Sequence, residues 1–218
     1  MITISQAVET ILANKPFILD AMNDNIINYS LLANFIKPDV EVLLKKEVKD
    51  SAIVMAIRRF KSVNDVGLIK RIENQVKHFG DILVRSNLVD YTFKNSETLL
   101  QNQQRLLDKI KDKKGFFYTV TQGVYETTFI LSDQVKDEIH LIFEGEKLIS
   151  SCYNLSSVTI KLPTGNTEQP GLYYYIFKKL AWDGINILEV VSTSNEFTIL
   201  LKDKDIDKAF SVIKNLKS

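Results

Sequence analysis

The chain has 218 residues, 45% of them hydrophobic and 25% charged, and a formal net charge of +1 at pH 7. That length supports one or two domains with cores of their own. The balanced charge argues against a protein built mainly to hold nucleic acid. No apolar run approaches the ~20 residues that span a bilayer, so no membrane partner is expected. The start, MITISQAVETILANK, carries Glu9 inside a helical pattern and reads as folded structure rather than a signal peptide. The single cysteine, Cys152, has no intramolecular disulfide partner. His78 and His140 stand far apart, without grouped Cys or carboxylates, so no metal and no cofactor is expected. These features together point to a cytoplasmic protein.

Residues 1–63 read as a helical domain. Ser5 is placed to cap a first helix with Ala7, Val8, Ile11 and Leu12 inward. Pro16 suits the first turn of a second, with Phe17, Ile18, Ala21 and Met22 inward. Asn28-Tyr29-Ser30 opens a third, whose apolar stripe is Leu31, Leu32, Phe35 and Ile36, and Pro38 marks a break or restart. Asp50-Ser51 opens the last, running to Phe60 and ending in Arg58, Arg59 and Lys61. This order of helices and breaks resembles a helix-turn-helix or winged-helix domain, which implies duplex DNA as a partner and Arg58, Arg59 and Lys61 as weak phosphate contacts. The same three cations also complement the dipole of a helix end, and acidic residues nearly balance basic ones across this region.

Residues 64–80 read as a connecting helix with Val66, Ile69, Ile72 and Val76 on one side and Gly80 as its stop. From Asp81 the period changes to that of strands. Ile82, Val84, Leu88, Val89, Tyr91 and Phe93 predict one long strand with a bulge at Ser86-Asn87. Ser96 caps a helix to Ile110 with Leu99, Leu100, Leu106 and Leu107 inward. A hairpin turns at Gln122-Gly123, Asp133 caps a helix through Phe143, and Lys147 to Tyr153 is a further strand. The pattern then repeats. Val158, Ile160 and Leu162 alternate as a strand, and Gly171 to Trp182 is amphipathic. Ile185 to Val191 and Phe197 to Leu201 are strands, and Asp205 to Leu216 is a closing helix. The expected class is therefore α+β: a helical domain followed by two ferredoxin-like βαββαβ units, 81–155 and 156–218. The second unit lacks a fourth strand of its own, and the ownership of the Lys147 strand stays open.

Pro170-Gly171, Ile176-Phe177, Leu180-Ala181, Gly184-Ile185-Asn186-Ile187 and Ser192-Thr193-Ser194 carry a resemblance. Their spacing resembles an ACT domain, of the type that ends aspartokinases. The resemblance implies a regulatory module that binds a free amino acid, with contacts at Gly171, Leu172, Tyr173, Leu188, Glu189, Ser194 and Asn195. It also implies homodimers paired through the ACT units. Glu189 stands where that family often has Asp, and Asn195 where it often has Glu.

No Gly-rich phosphate loop, no Ser/Cys–His pairing and no paired-carboxylate motif is present, and nothing matches the Lys-Phe-Gly-Gly-type start of a kinase domain. Lys202 to Lys208, KDKDIDK, reads as a solvated helix start. The expectation is a non-catalytic, amino-acid-sensing regulatory protein, its output either transcriptional or a protein contact. The alternatives are a regulatory subunit of an amino-acid biosynthetic enzyme and a ligand-free interaction scaffold.

Overall fold

The computed structural model describes residues 2–64, 67–168 and 170–217, with side chains described outside 61–70. Asp65 and Val66 of the expected connecting helix, the side chains of Lys61 and Ile69, and Gln169 lie outside the described residues. Two compact units, Met1–Arg71 and Ile72–Ser218, are present.

The first unit holds α1 (Ile4–Ala13), α2 (Pro16–Asn23), α3 (Tyr29–Leu44) and α4 (Asp50–Asn64). The cap of α1 is Thr3 rather than Ser5: Thr3 and Gln6 bond reciprocally as a capping box. Asn28 caps α3 by accepting from the amides of Ser30 and Leu31 at 2.9 and 3.2 Å. Pro38 does not break α3. Proline removes one bond, to the carbonyl of Asn34, and both residues face solvent. Meanwhile Leu32, Ala33, Ile36 and Val40 are held in a core with Ala7, Leu12, Ile53 and Ile57. Leu31 and Phe35 are exposed, 67% and 63%, because the buried stripe follows Leu32, Ile36 and Val40 at i, i+4, i+8 and leaves their side of the helix outward.

The second unit is one antiparallel sheet with helices. In chain order it holds the end of α5 (Gly67–Lys77), β1 (Ile82–Lys94), α6 (Leu99–Ile110), β2 (Tyr118–Gln122) and β3 (Glu126–Ser132). Next come α7 (Lys136–Ile142), β4 (Leu148–Lys161), α8 (Leu172–Trp182), β5 (Glu189–Ser192), β6 (Glu196–Lys202) and α9 (Ile206–Asn215). The strand order is β2-β3-β1-β4-β6-β5. β1 and β4 are long, and each serves two neighbourhoods. The C-terminal part of β1 pairs β3, and the C-terminal part of β4 pairs β6. Each half of the sheet therefore shows the ferredoxin-like order, β2-β3-β1-β4 in the first and β5-β6-β4-β1 in the second.

This arrangement corrects three expectations. The strands read at Lys147–Tyr153 and Val158–Leu162 are one strand, β4, so residues 155 and 156 lie inside it. The missing fourth strand of the second repeat is the beginning of β1, where Ile82 to Arg85 pair with Ile160 to Ser157. And β5 is only Glu189–Ser192, since Ile185 and Ile187 pack into the core from a segment off the ladder.

The bulge expected near Asn87 is present, and it has a twin. Asn87 (φ 58°) and Asn154 (φ 56°) both sit in the left-handed region, which asparagine tolerates better than most residues. The β1–β4 register shifts on either side of the facing pair Leu88 and Leu155. The two halves match in detail: Thr92 and Thr128 share a hydroxyl bond of 2.9 Å, and Thr159 and Thr198 one of 2.8 Å.

Helices pack on alternate strand residues. Val89, Tyr91, Phe93, Phe129 and Leu131 meet α6 and α7, while Val158, Ile160, Phe197, Ile199 and Leu201 meet α5, α8 and α9. In α6 the inward residues are Leu99, Asn102, Leu106 and Ile110; Leu100 and Leu107 fall a step round the helix and are exposed. The residues between these in the alternation, Leu88, Ile130, Leu155 and Leu200, form a separate cluster on the helix-free face, with Phe117, Leu188 and Val191 against it.

Candidate ligand site

At the end of β4 the chain is fastened to the β5–β6 turn. The Leu162 amide donates to the Asn195 carbonyl at 2.7 Å. Asn166, only 5% exposed, donates from Nδ2 to the carbonyls of Pro163 at 3.0 Å and Ser194 at 2.7 Å. One buried amide thus holds the loop before α8 beside the turn.

Gly171 is the N-cap of α8, with φ 91°. A side chain there would be strained in that region and would meet Ile72 Cδ1 at 2.8 Å, so the position requires glycine. No side chain among the described residues caps α8, whose first-turn amides point out of the helix with the positive end of its dipole behind them. Leu172 is buried in the core. Tyr173 stacks on Phe197 at 4.7 Å, and its hydroxyl shares a 2.9 Å hydrogen bond with that of Ser192.

The expected contacts divide into two groups. Gly171, Leu172 and Tyr173 begin α8, and Ser194 and Asn195 form the exposed turn tied to the loop leading into it. Leu188 and Glu189 are placed differently. Glu189 pairs across the ladder with Leu200, a residue of the helix-free face, and Leu188 packs on that same cluster. The face of β5 separates them from Tyr173, which lies on Phe197 of the helix side.

The corresponding place in the first half is filled. Glu146 accepts from Ser96 Oγ at 2.6 Å, Thr98 Oγ1 at 2.7 Å and Asn102 Nδ2 at 2.8 Å at the start of α6. Asn102 is 6% exposed. A carboxylate of the chain itself therefore sits at the start of α6, whereas no described carboxylate bonds the start of α8.

On the helix-free face Asp90 is 6% exposed, between Ile130 and Cys152 across the ladder, and no donor among the described residues bonds its carboxylate. Burial, with Glu189 adding repulsion, pushes its pKa up to about 6. Glu189 is raised too, first by burial and then by Glu126. Sequence reasoning missed Asp90, although a carboxylate inside the apolar stretch Leu88 to Phe93 was a visible signal. It also missed Asn166 and Glu146, which reach their partners through tertiary contacts that spacing does not encode.

In the first unit Arg58 and Arg59 are exposed on α4, and Arg59 Nε donates to the Met55 carbonyl at 3.4 Å. No group of three His, Cys, Asp or Glu among the described residues could hold a metal ion. No helix among them is long and apolar enough to cross a membrane.

No family model matches the sequence, and no curated protein does either. Solved structures do match. A chain of the aspartokinase alpha and beta subunits is 16% identical, with 63% of this chain and 97% of that chain covered and a TM-score of 0.52. The ligand-free regulatory subunit of aspartate kinase from Thermus thermophilus is 13% identical over 62% of this chain and 95% of its own, with a TM-score of 0.50. Aspartate kinase from Synechocystis is 12% identical; 65% of this chain covers 27% of that one, with a TM-score of 0.53. At such identities the likeness is one of fold. Close to two thirds of this chain has the fold of an aspartokinase regulatory region.

Proposed function

We propose that the protein is a non-catalytic regulator that senses a free amino acid through the second of two ACT-type halves. The observation that carries this reading is the uncapped start of α8, held beside the Ser194 turn by Asn166, on a fold shared with aspartokinase regulatory chains. An α-carboxylate suits the first-turn amides and dipole of that helix start. Tyr173, Ser192 and Ser194 supply hydroxyls around it. The first half takes no ligand in this reading, because Glu146 occupies its equivalent place.

A thermal-shift screen of the full chain against the twenty amino acids tests this. At ~100 times its dissociation constant the effector should stabilise the fold by roughly 2.7 kcal/mol. That is a rise of several degrees for about 150–250 residues. No shift from any of them leaves the ligand-free scaffold as the better reading.

The protein is expected to pair with a second copy through the sheet-bearing unit, where β2 and β5 present open edges. Light scattering at tens of micromolar checks this; a mass of one chain contradicts it. The helical unit is the output element. Arg58 and Arg59 are exposed on α4, and low-salt gel shifts decide between duplex DNA and protein as its partner.

A further inference from the structure

A groove of about 590 Å³, built wholly from the second unit, opens between α5, α8 and α9. This lies within the range of roughly 300–1,000 Å³ typical of small-molecule sites. Its apolar wall is Val212, Leu216 and the ring of Tyr175, all half-buried against the core. Its charged lining comes from three helices. Lys208 is already committed: its ammonium donates to the Asp183 carbonyl and lies 3.8 Å from the Asp183 carboxylate. Lys77 at the end of α5 and Lys179 near the end of α8 form no ion pair among the described residues. The Lys179 ammonium lies over the Tyr175 ring, 5.6 Å from its centroid. Glu73 lines the same groove and bears on the Tyr175 hydroxyl, which burial first and Glu73 second hold above its ordinary range.

Two ammonium groups outside any ion pair among the described residues, one of them over an aromatic ring, and the Glu73 carboxylate make a recognisable set. Ammonium groups make charge-assisted bonds to a phosphate dianion. A half-buried ring is a surface on which any nucleobase stacks. A lone carboxylate accepts from sugar hydroxyls, as acidic residues do for ribose in dinucleotide sites. We propose that this groove binds a nucleoside monophosphate, with the phosphate drawing the Lys179 ammonium off the Tyr175 ring to sit between Lys77 and Lys179, the base taking the ammonium's place on that ring and the ribose hydroxyls donating to Glu73. The occupant holds α5 against α8 and α9. This site is separate from the start of α8, and the two stand or fall independently.

The test is calorimetric titration of the full chain at low salt with AMP, adenosine and inorganic phosphate, repeated on Lys77→Gln and Lys179→Gln. Both substitutions are at exposed positions and leave the core untouched. AMP is expected to bind with a Kd below about 1 mM, and adenosine and phosphate each at least about tenfold more weakly. Each variant is expected to lose about tenfold in AMP affinity with an unchanged melting temperature, and added salt should weaken binding to the parent chain. Absence of AMP binding, or AMP affinity that either variant leaves intact, overturns the site. Phosphate or adenosine alone binding as tightly as AMP overturns the nucleotide assignment.

Discussion

Phe197→Ala is expected to cost about 3–5 kcal/mol, the range for emptying a buried aromatic site. Phe197 is 1% exposed in β6, opposite Ile160 of β4 and Ser192 of β5. Tyr173 stacks on it at 4.7 Å and Phe177 meets it at 5.7 Å, so one truncation removes the support under two residues of α8. The loss should appear as a lower urea midpoint with an unchanged slope. Leu100→Ala, at a position 61% exposed, is the control and should stay within about 0.5 kcal/mol. A loss below about 1 kcal/mol at Phe197 would mean that α8 is not anchored as the packing indicates.

Asp90→Asn is expected to stabilise the protein at pH 7. The folded-state pKa of Asp90 is raised from 3.8 to about 6, so ionisation is penalised in the fold and not in the unfolded chain. Below pH 4 the group is protonated in both states and the penalty is absent. It grows as pH rises from about 4 to 6 and is complete above that. A shift of this size corresponds to at most about 3 kcal/mol at neutral pH. Glu189, also raised, adds to the same trend. The difference in unfolding free energy between Asp90→Asn and the parent chain should therefore favour the variant at pH 7 and vanish near pH 4. A variant less stable than the parent at pH 7 would contradict the buried, unpaired carboxylate.

Much of this fold was legible because its signals are local. The bulge at Asn87, the Gln122-Gly123 hairpin and the helix from Gly171 to Trp182 each follow from period and turn chemistry. What spacing could not show is how strands are shared. Spacing gives one strand to Tyr153 and another from Val158; in the sheet Asn154 and the residues after it carry β4 through a bulge, and the strand continues. The beginning of β1 completing the second half is a contact between segments far apart in the chain, Ile82 with Ile160, which no local pattern encodes. Helix faces failed by one step where apolar residues were adjacent, as at Leu31/Leu32 and Leu99/Leu100, since periodicity alone does not choose between neighbours. The candidate site was half legible. Gly171 to Tyr173 and Ser194 were brought into one neighbourhood by the loop that Asn166 ties, whereas Glu189 fell on the other face of its strand because a short edge strand alternates like any other.

That alternation supplies the most direct test of the regulatory reading. Once the amino-acid screen yields an effector, it is titrated calorimetrically into the parent chain, Tyr173→Phe and Glu189→Ala. Tyr173→Phe keeps the ring on Phe197 and removes only the hydroxyl bonded to Ser192. The predicted result is one amino acid per chain, bound about fivefold to tenfold more weakly by Tyr173→Phe, the loss of one hydrogen bond, and unaltered by Glu189→Ala. Two molecules per chain would mean that Glu146 does not close the first half. Binding that Tyr173→Phe leaves intact, or that no amino acid shows at all, would contradict the seat at the start of α8.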